Sequence, residues 1–380
     1  MEYKKINELT TVVTGGTPST RKNEYWDNGD IPWLQSGCCQ NCDVDSTEKY
    51  ITKEGYNNSS THMMSADTVM IALTGATAGK VGYLKFEACG NQSITGILPC
   101  ESLNQRYLFF YLLSQREKIL ADCVGGAQAH ISQSYVKNMT IPILAIKEQE
   151  QIVGELTKVS NIVSLRQEEI QQLDNLVKAR FVEMFGDCTN MISLSELCLI
   201  ITDGTHQSPK FQHDGIPFIL VSNLSKNTVT YDTDKFISAE TYKELYKRTP
   251  IEIGDILLST VGSYGHPAVV VEDRKFLFQR HIAYLKPKSD ILNSYYMHGA
   301  LLSPGCQRQI EEKVKGIAQK TLNLSEIRKI RIPVPSLDLQ KQYADFVHQV
   351  NKSKFDTMTF APIYAIINLY LHTYFYQGRR

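Results

Sequence analysis

The chain repeats itself, and among its 380 residues no other feature constrains the fold as strongly. Asn7-Glu8-Leu9, followed by Gly15-Gly16-Thr17-Pro18, returns as Ser195-Glu196-Leu197 followed by Asp203-Gly204-Thr205-His206. Asp30-Ile31-Pro32-Trp33 returns as Gly215-Ile216-Pro217-Phe218. A strand-like run from Asp67 to Thr74 with the turn Gly75-Ala76-Thr77-Ala78-Gly79-Lys80 matches Asp255 to Thr260 with Gly262-Ser263-Tyr264-Gly265-His266. Late in each copy, Pro142 and Gln149-Glu150-Gln151 are answered by Pro333 and Gln340-Lys341-Gln342. The matches keep their order at a spacing of roughly 185–190 residues, and the drift suits loop insertions in a duplicated unit.

Each copy opens with β-branched runs separated by Gly, Pro and Asn, which predict short strands, and continues into a helical segment, Tyr107–Ile119 or Ser294–Glu312. Each closes with a proline-marked strand that feeds a helix, and Pro142 and Pro333 are expected where the chain changes direction.

Between the copies, Lys147 to Phe185 turns fully helical. Apolar residues at Ile152, Leu156, Val159, Val163, Ile170, Leu173, Val177 and Met184 alternate spacings of three and four, a heptad seam interrupted by Arg166 and Arg180. Gly186-Asp187 supplies the stop. About 40 residues at about 1.5 Å each make a rod of about 60 Å, which calls for a partner helix along its seam. The second copy begins one in register, with Leu339, Tyr343, Phe346, Val347 and Val350. Beyond Phe355 the repeat is lost: Asp356–Gln377 holds no Lys or Arg, is rich in Tyr, Ile and Leu, and carries Pro362. This stretch reads as an altered or truncated C-terminus.

Forty basic and forty acidic side chains cancel, so no chain-wide positive field exists and any attraction for a polyanion must be local. The chain opens without a secretory leader and holds no apolar stretch long enough to span a bilayer, so the expectation is a cytoplasmic protein with no membrane partner. Nine irregularly spaced cysteines then read as reduced thiols, and Cys38, Cys39 and Cys42 lack the second ligand pair that a zinc site needs.

Chemistry-bearing motifs are scarce. Gly75 to Lys80 has three residues between its glycines and Val81 after its lysine, where a phosphate-binding loop has four and Ser or Thr, so it reads as a tight turn. Asp255 with Asp273-Arg274-Lys275 imitates the carboxylates and lysine of a metal-dependent nuclease, but the first copy offers only Asp67 and Lys85, and the bland reading is a strand start and a charged hairpin. A glycine-rich cofactor loop after a first strand, as a methyltransferase requires, is missing from the sequence. Neither a catalytic residue nor a metal ligand is expected.

Two diverged units, each closing with an Ile-Pro strand, a Gln-containing helix start and a heptad helix, resemble the specificity subunit of type I restriction-modification systems. The resemblance spans roughly residues 1–354 and rests on ordered repetition of motifs that are individually weak. It implies an α+β fold: two repeated mixed α/β target-recognition domains joined by long heptad helices that pair as an antiparallel coiled coil. The corresponding boundaries are 1–145 for the first target-recognition domain, 146–186 for the first spacer helix, 187–335 for the second domain, 336–354 for the start of the second spacer helix and 355–380 for the divergent tail. It further implies a non-catalytic, sequence-specific binder of double-stranded DNA that reads a bipartite target. Its partners would be two modification (methyltransferase) subunits and the restriction (endonuclease and translocase) subunits, with S-adenosylmethionine, ATP and Mg on those partners and no cofactor on this chain. A stand-alone endonuclease or methyltransferase that kept this architecture, or an assembly-defective scaffold, are the rival readings.

Within that reading the DNA contacts should be polar loop residues that differ between the copies, because each copy reads different bases on one scaffold. The candidates are Thr74, Thr77, Lys80, Asn91, Gln92, Gln128 and His130 in the first copy, and Ser263, Tyr264, His266, Arg280, His281, Gln319 and Lys320 in the second. Arginine suits a guanine edge, and Gln or Asn an adenine edge. The seam residues Ile152, Leu156, Val159, Val163, Ile170, Leu173, Val177, Met184, Tyr343, Val347 and Val350 are the expected partner-helix contacts. Lys313, Lys315, Lys320, Arg328, Lys329 and Arg331 make the second copy the more basic, and the expected site of more salt-dependent phosphate binding.

Overall fold

A computed structural model describes residues 2–122, 130–316, 320–358, 367 and 369–371, the side chains of 355–358 excepted. Gln128 and Gln319 therefore lie outside the described residues. The chain divides into two compact units, residues 1–166 with 360–380, and residues 167–359.

The first unit is built on a five-stranded sheet in the order Val12–Thr14, Ile94–Ile97, Val69–Ala72, Val81–Leu84, Cys42–Val44. A three-stranded sheet sets Ile31–Leu34 between Tyr50–Ile51 and Cys89–Gly90, and Glu2–Lys5 pairs antiparallel with Thr140–Ile143. The second unit repeats this plan with one strand fewer: Cys198–Asp203, Ile282–Pro287, Ile256–Ser259, Pro267–Val269 in one sheet, and Ile216–Ile219 between Phe236–Ile237 and Leu277–Phe278 in another. Met191–Ser193 pairs with Arg331–Pro333 in the place of the terminal ribbon. Even the unusual parallel pairing recurs, Trp33 opposite Cys89 and Phe218 opposite Leu277. Pro142 and Pro333 sit inside these two-stranded ribbons, where a missing N–H is tolerated.

Why these runs are strands follows from their two-sided burial. In Val69–Ala72, Val69 and Ile71 face the helical side of the core while Met70 and Ala72 face a second cluster with Leu34, Val44 and Met64. Ile256 and Leu258 likewise oppose Leu257 in the second unit. Because side chains alternate with period two, a continuous apolar run satisfies both faces of a covered sheet.

A helix crosses behind each sheet, Gln105–Ser114 continued by Arg116–Ala121, and Ser294–Leu302 continued by Pro304–Lys313. Asn104 caps the first by accepting from the N–H groups of Arg106 and Tyr107, and Asn293 caps the second from Tyr295 and Tyr296. Each cap is gripped by a buried glutamine. The Gln149 Oε1 accepts from Asn104 N (2.8 Å), while its Nε2 donates to the carbonyls of Leu144 (2.9 Å) and Ser102 (3.3 Å). Gln340 does the same with Asn293 N (2.9 Å) and the carbonyls of Pro335 and Ile291 (both 3.0 Å).

The long helix runs unbroken over Ile146–Phe185. Its eight seam positions are all buried or half-buried, whereas Ile162, Leu165, Leu176 and Val182 are exposed. Within the second unit, the helix Leu337–Met358 packs antiparallel to the end of the long helix: Tyr343 meets Phe181 and Phe185, Phe346 lies under Arg180, and Lys354 reaches Asp174 (2.5 Å). Tyr343, Val347 and Val350 are buried, while Leu339 is exposed. Phe181, Phe185, Tyr296 and Tyr343 form an aromatic knot there. Nothing in the repeat assigned partners to the C-terminal stretch. In the structure Ile367 and Leu371 are buried in the first unit's core with Ile152 and Leu156, and the Tyr370 hydroxyl donates to Glu155.

Two outcomes follow from this framework. Gln340→Leu leaves a backbone N–H and two carbonyls without partners, at about 1–3 kcal/mol for each group that water cannot reach; urea unfolding of the full chain should show the loss, and an unchanged midpoint would contradict the grip. His298 is enclosed in the second unit, its Nε2 donating to the carbonyls of Asn227 (3.0 Å) and Pro267 (3.1 Å), and burial pushes its pKa below the ordinary 6.5. The unfolded chain then takes up the proton first, so stability is complete above pH 6.5 and falls as pH drops below it. His298→Gln should flatten that fall in denaturation midpoints compared at pH 7.5 and 5.5.

Candidate nucleic-acid interface

Backbone hydrogen bonds gather the polar loops of each unit at one end of its main sheet. In the first unit Leu73 N donates to Ser93 O, Ile131 N to Leu73 O, and Thr74 forms a bridge with His130. In the second, Thr260 N donates to His281 O, Leu322 N to Thr260 O, and Gly262 N to Lys320 O. The loop strands lie side by side in the same pattern. Both glycine turns reverse through left-handed residues, Gly75 and Gly79 at φ +73°, Gly262 at +71° and Gly265 at +79°. This places Thr74, Thr77, Asn91, Gln92 and His130 together in one unit and Ser263, Arg280, His281 and Lys320 together in the other.

Not all candidates are equally free. Gln92 is exposed and its Oε1 accepts from the Thr17 hydroxyl (2.5 Å), which fixes the amide oxygen. Lys80 donates to Gln40 (2.6 Å), and Asn91 accepts from Ser93 N, so both are partly engaged. His266 is tied inward, its Nδ1 on the Asn227 side chain (3.0 Å) and its N–H on the Ser259 hydroxyl. Tyr264 packs against the second core with Lys320 over its ring. Arg280 is exposed and donates through Nε to His281 Nε2 (3.2 Å). Burial, reinforced by the Arg280 charge, pushes the His281 imidazole below its ordinary pKa, so it is the neutral acceptor at pH 7. Half of the basic run is engaged within the fold: Arg328 donates to Ile201 O (2.6 Å), Arg331 to Met191 O (2.5 Å) and the exposed Lys329 pairs with Glu326 (3.0 Å). Lys315 and Lys320 remain exposed.

Both polar ends open into cavities beside the conserved-order Gly-Thr turns. The first, about 860 Å³, is walled by Thr17, Trp26, Trp33, Gln35, Asn91 and Gln92. The second, about 440 Å³, is walled by Gly204, Thr205, His206, Lys210, Leu245 and Arg248. The turn glycines admit no side chain: a Cβ on Gly15 would stand 2.1 Å from the carbonyl oxygens of Gly90 and Asn91, and one on Gly204 2.3 Å from that of Phe278. Thr17, His206 and Arg248 were not among the sequence candidates; their repeat motifs marked the first two, but nothing in the linear order pointed to Arg248.

The nuclease-like carboxylate is committed elsewhere. Asp255 is buried, accepts from Tyr284 OH (2.9 Å) and Glu252 N (2.8 Å), and burial raises its pKa. Among the described residues no group of three or more His, Cys, Asp or Glu side chains is placed to hold a metal ion, and no helix is long and apolar enough to cross a membrane.

The sequence profile of the type I restriction modification DNA specificity domain matches residues 1–175 and again residues 189–362. The chain belongs to the type I restriction-modification specificity family. It is 32% identical over 169 residues to the type I restriction enzyme EcoR124I/EcoR124II specificity subunit of Escherichia coli, a match covering 43% of this chain and 42% of that one. Against the MjaIX specificity subunit of Methanocaldococcus jannaschii it is 23% identical over 374 residues, covering 91% of this chain and 85% of the relative. Its fold resembles the crystal structure of a type I restriction-modification S subunit from M. genitalium, with a TM-score of 0.50 at 15% identity over 98% of this chain and 94% of that one. The profile matches twice because each specificity domain is one of the two units seen in the repeat.

Gly204→Ala should displace the turn that carries Thr205 and His206, since its Cβ meets backbone rather than a yielding side chain. Overpacking of this kind costs about 1–3 kcal/mol. Thermal unfolding of the full chain should register that cost; an unaltered unfolding midpoint would refute the requirement.

Proposed function

We propose that each unit reads one half of a bipartite double-stranded DNA target, and that the chain delivers two methyltransferase subunits and the restriction subunits to that target without performing chemistry itself. The observation that carries this reading is the duplicated framework with unlike polar ends: the same sheet order, caps and glycine turns present Thr17, Gln92 and His130 in one unit and His206, Arg280 and Lys320 in the other. Common scaffolds with divergent loops suit two different base sequences. Two similar units also suit two copies of one partner. S-adenosylmethionine, ATP and Mg act on the partner subunits in this scheme, inside the cytoplasm. The rival of a stand-alone nuclease or methyltransferase finds no support in the buried, hydrogen-bonded Asp255.

Co-expression with a cognate methyltransferase subunit, followed by mapping of methylated sites across the host genome, tests the scheme. A split motif that appears only when this chain is present is the expected result. A methylation pattern indifferent to the chain would overturn it.

A further inference from the structure

The two cavities differ in kind. That of the first unit sets Glu48 and Lys49 among amides, hydroxyls and aromatic rings, with Trp26 edge-on to Trp33 at 5.0 Å. That of the second is built around a carboxylate-held arginine. Asp203 ends the strand Cys198–Asp203 and is largely covered; its Oδ1 receives Arg248 Nη2 at 2.6 Å and its Oδ2 receives His206 Nε2 at 2.8 Å. The strand pairing shifts the motif match by one residue: Gly15 N donates to Ile94 O as Gly204 N does to Ile282 O, so Thr14 of the first unit stands in the place of Asp203.

Arg248 follows the helix Ala239–Leu245 in a tight loop, with its N–H on Leu245 O (3.2 Å) and the buried Thr249 and Ile251 just beyond. The backbone at Arg248 is therefore fixed on one side and the guanidinium on the other. Half of the side chain stays exposed on the cavity wall, and among the described residues its other N–H groups form no hydrogen bond. Thr205 O accepts from Arg280 N (3.0 Å), which sets this cavity beside the Arg280–His281 pair of the polar end.

We infer that Arg248 is a guanine-reading side chain of the second unit, with Asp203 as the residue that positions it; the inference rests on the DNA-recognition reading above. A guanidinium held at one Nη still presents its remaining N–H groups as a planar fork, which matches the O6 and N7 acceptors of guanine in the major groove. A phosphate would be served better by an unpaired cation, because Asp203 offsets the charge that counterion release requires. The geometry therefore favours a base edge over the backbone.

The test uses the full chain assembled with its methyltransferase subunits, comparing wild type with Arg248→Ala, Arg248→Lys and Asp203→Asn by methylated-motif mapping. The half-site read by the first unit serves as the internal control for folding and assembly. The expected result is loss of discrimination at one G·C position of the other half-site, about 5- to 150-fold for Arg248→Ala. Arg248→Lys should be nearly as relaxed, since it keeps the charge but loses the fork, and Asp203→Asn should fall between. The slope of DNA affinity against salt should stay unchanged. An unaltered motif in Arg248→Ala would sink the inference while leaving the recognition role intact. So would uniform weakening on all sequences with a salt slope lower by about one, the signature of a phosphate contact. Absence of any chain-dependent motif with the wild-type chain would overturn the recognition reading and this assignment together.

Discussion

The grip of a buried glutamine on a helix cap holds each unit together where its parts meet. Gln149 and Gln340 sit one turn into the helices that leave the proline ribbons, and each spends its full amide on three backbone groups from three places: the cap of the core helix, the turn before that cap and the corner just before its own helix. Without these bonds, a buried N–H and two carbonyls would each carry a desolvation cost. Tyr107 and Tyr296 repeat the tie from the core helix side, donating to the carbonyls of Pro142 (3.0 Å) and Pro333 (2.7 Å). A glutamate at either position could not make the same set, because it lacks the donors that the two carbonyls need.

This polar lock frees the opposite end of each unit. Since the core helix, the ribbon and the start of the closing helix are fixed to one another, the loops at the sheet end can change without loosening the core. The first unit places Asn91 and Gln92 where the second has Gln279 and Arg280, each followed by the residue whose carbonyl holds the neighbouring strand. The glycines that allow close backbone approach, Gly15 and Gly204, belong to the invariant part of the plan, whereas the side chains flanking them differ in charge and size.

Much of this was legible in the chain because its signals are local or repeated. The ordered motifs disclosed two units, and the three-four spacing from Ile152 to Met184 marked one side of the helix Ile146–Phe185. Sheet order was not legible: Val12–Thr14 and Ile94–Ile97 are neighbours only through pairing over long sequence separation, which alternation within a strand does not encode. For the same reason Asp203 and Arg248 looked unrelated. Gln149 and Gln340 were visible as a repeated pair, but in sequence a buried lock and a solvated helix residue read alike. The tail defeated periodicity because three core-facing residues within five positions, Ile367, Tyr370 and Leu371, are too short a pattern to stand out among so many apolar neighbours.

Formal charge has to be weighed against what each charged group is bonded to, and the reason is physical. Counting Lys and Arg made the region from Lys313 to Arg331 a positive patch, yet Arg328 and Arg331 are bonded to backbone carbonyls and Lys329 to a carboxylate. A formal charge that crosslinks the fold is less available to a polyanion than one that is free to follow it. With forty charges of each sign and several of the well-placed cations already paired, a long-range field has little to offer. What remains at the sheet ends is directional: the Thr17-oriented amide of Gln92, the neutral imidazole of His281 beside Arg280, and the guanidinium of Arg248 held by Asp203. Groups of this kind act through where their donors and acceptors point rather than through net charge, so zero formal charge on the chain is no obstacle to the recognition role proposed for it.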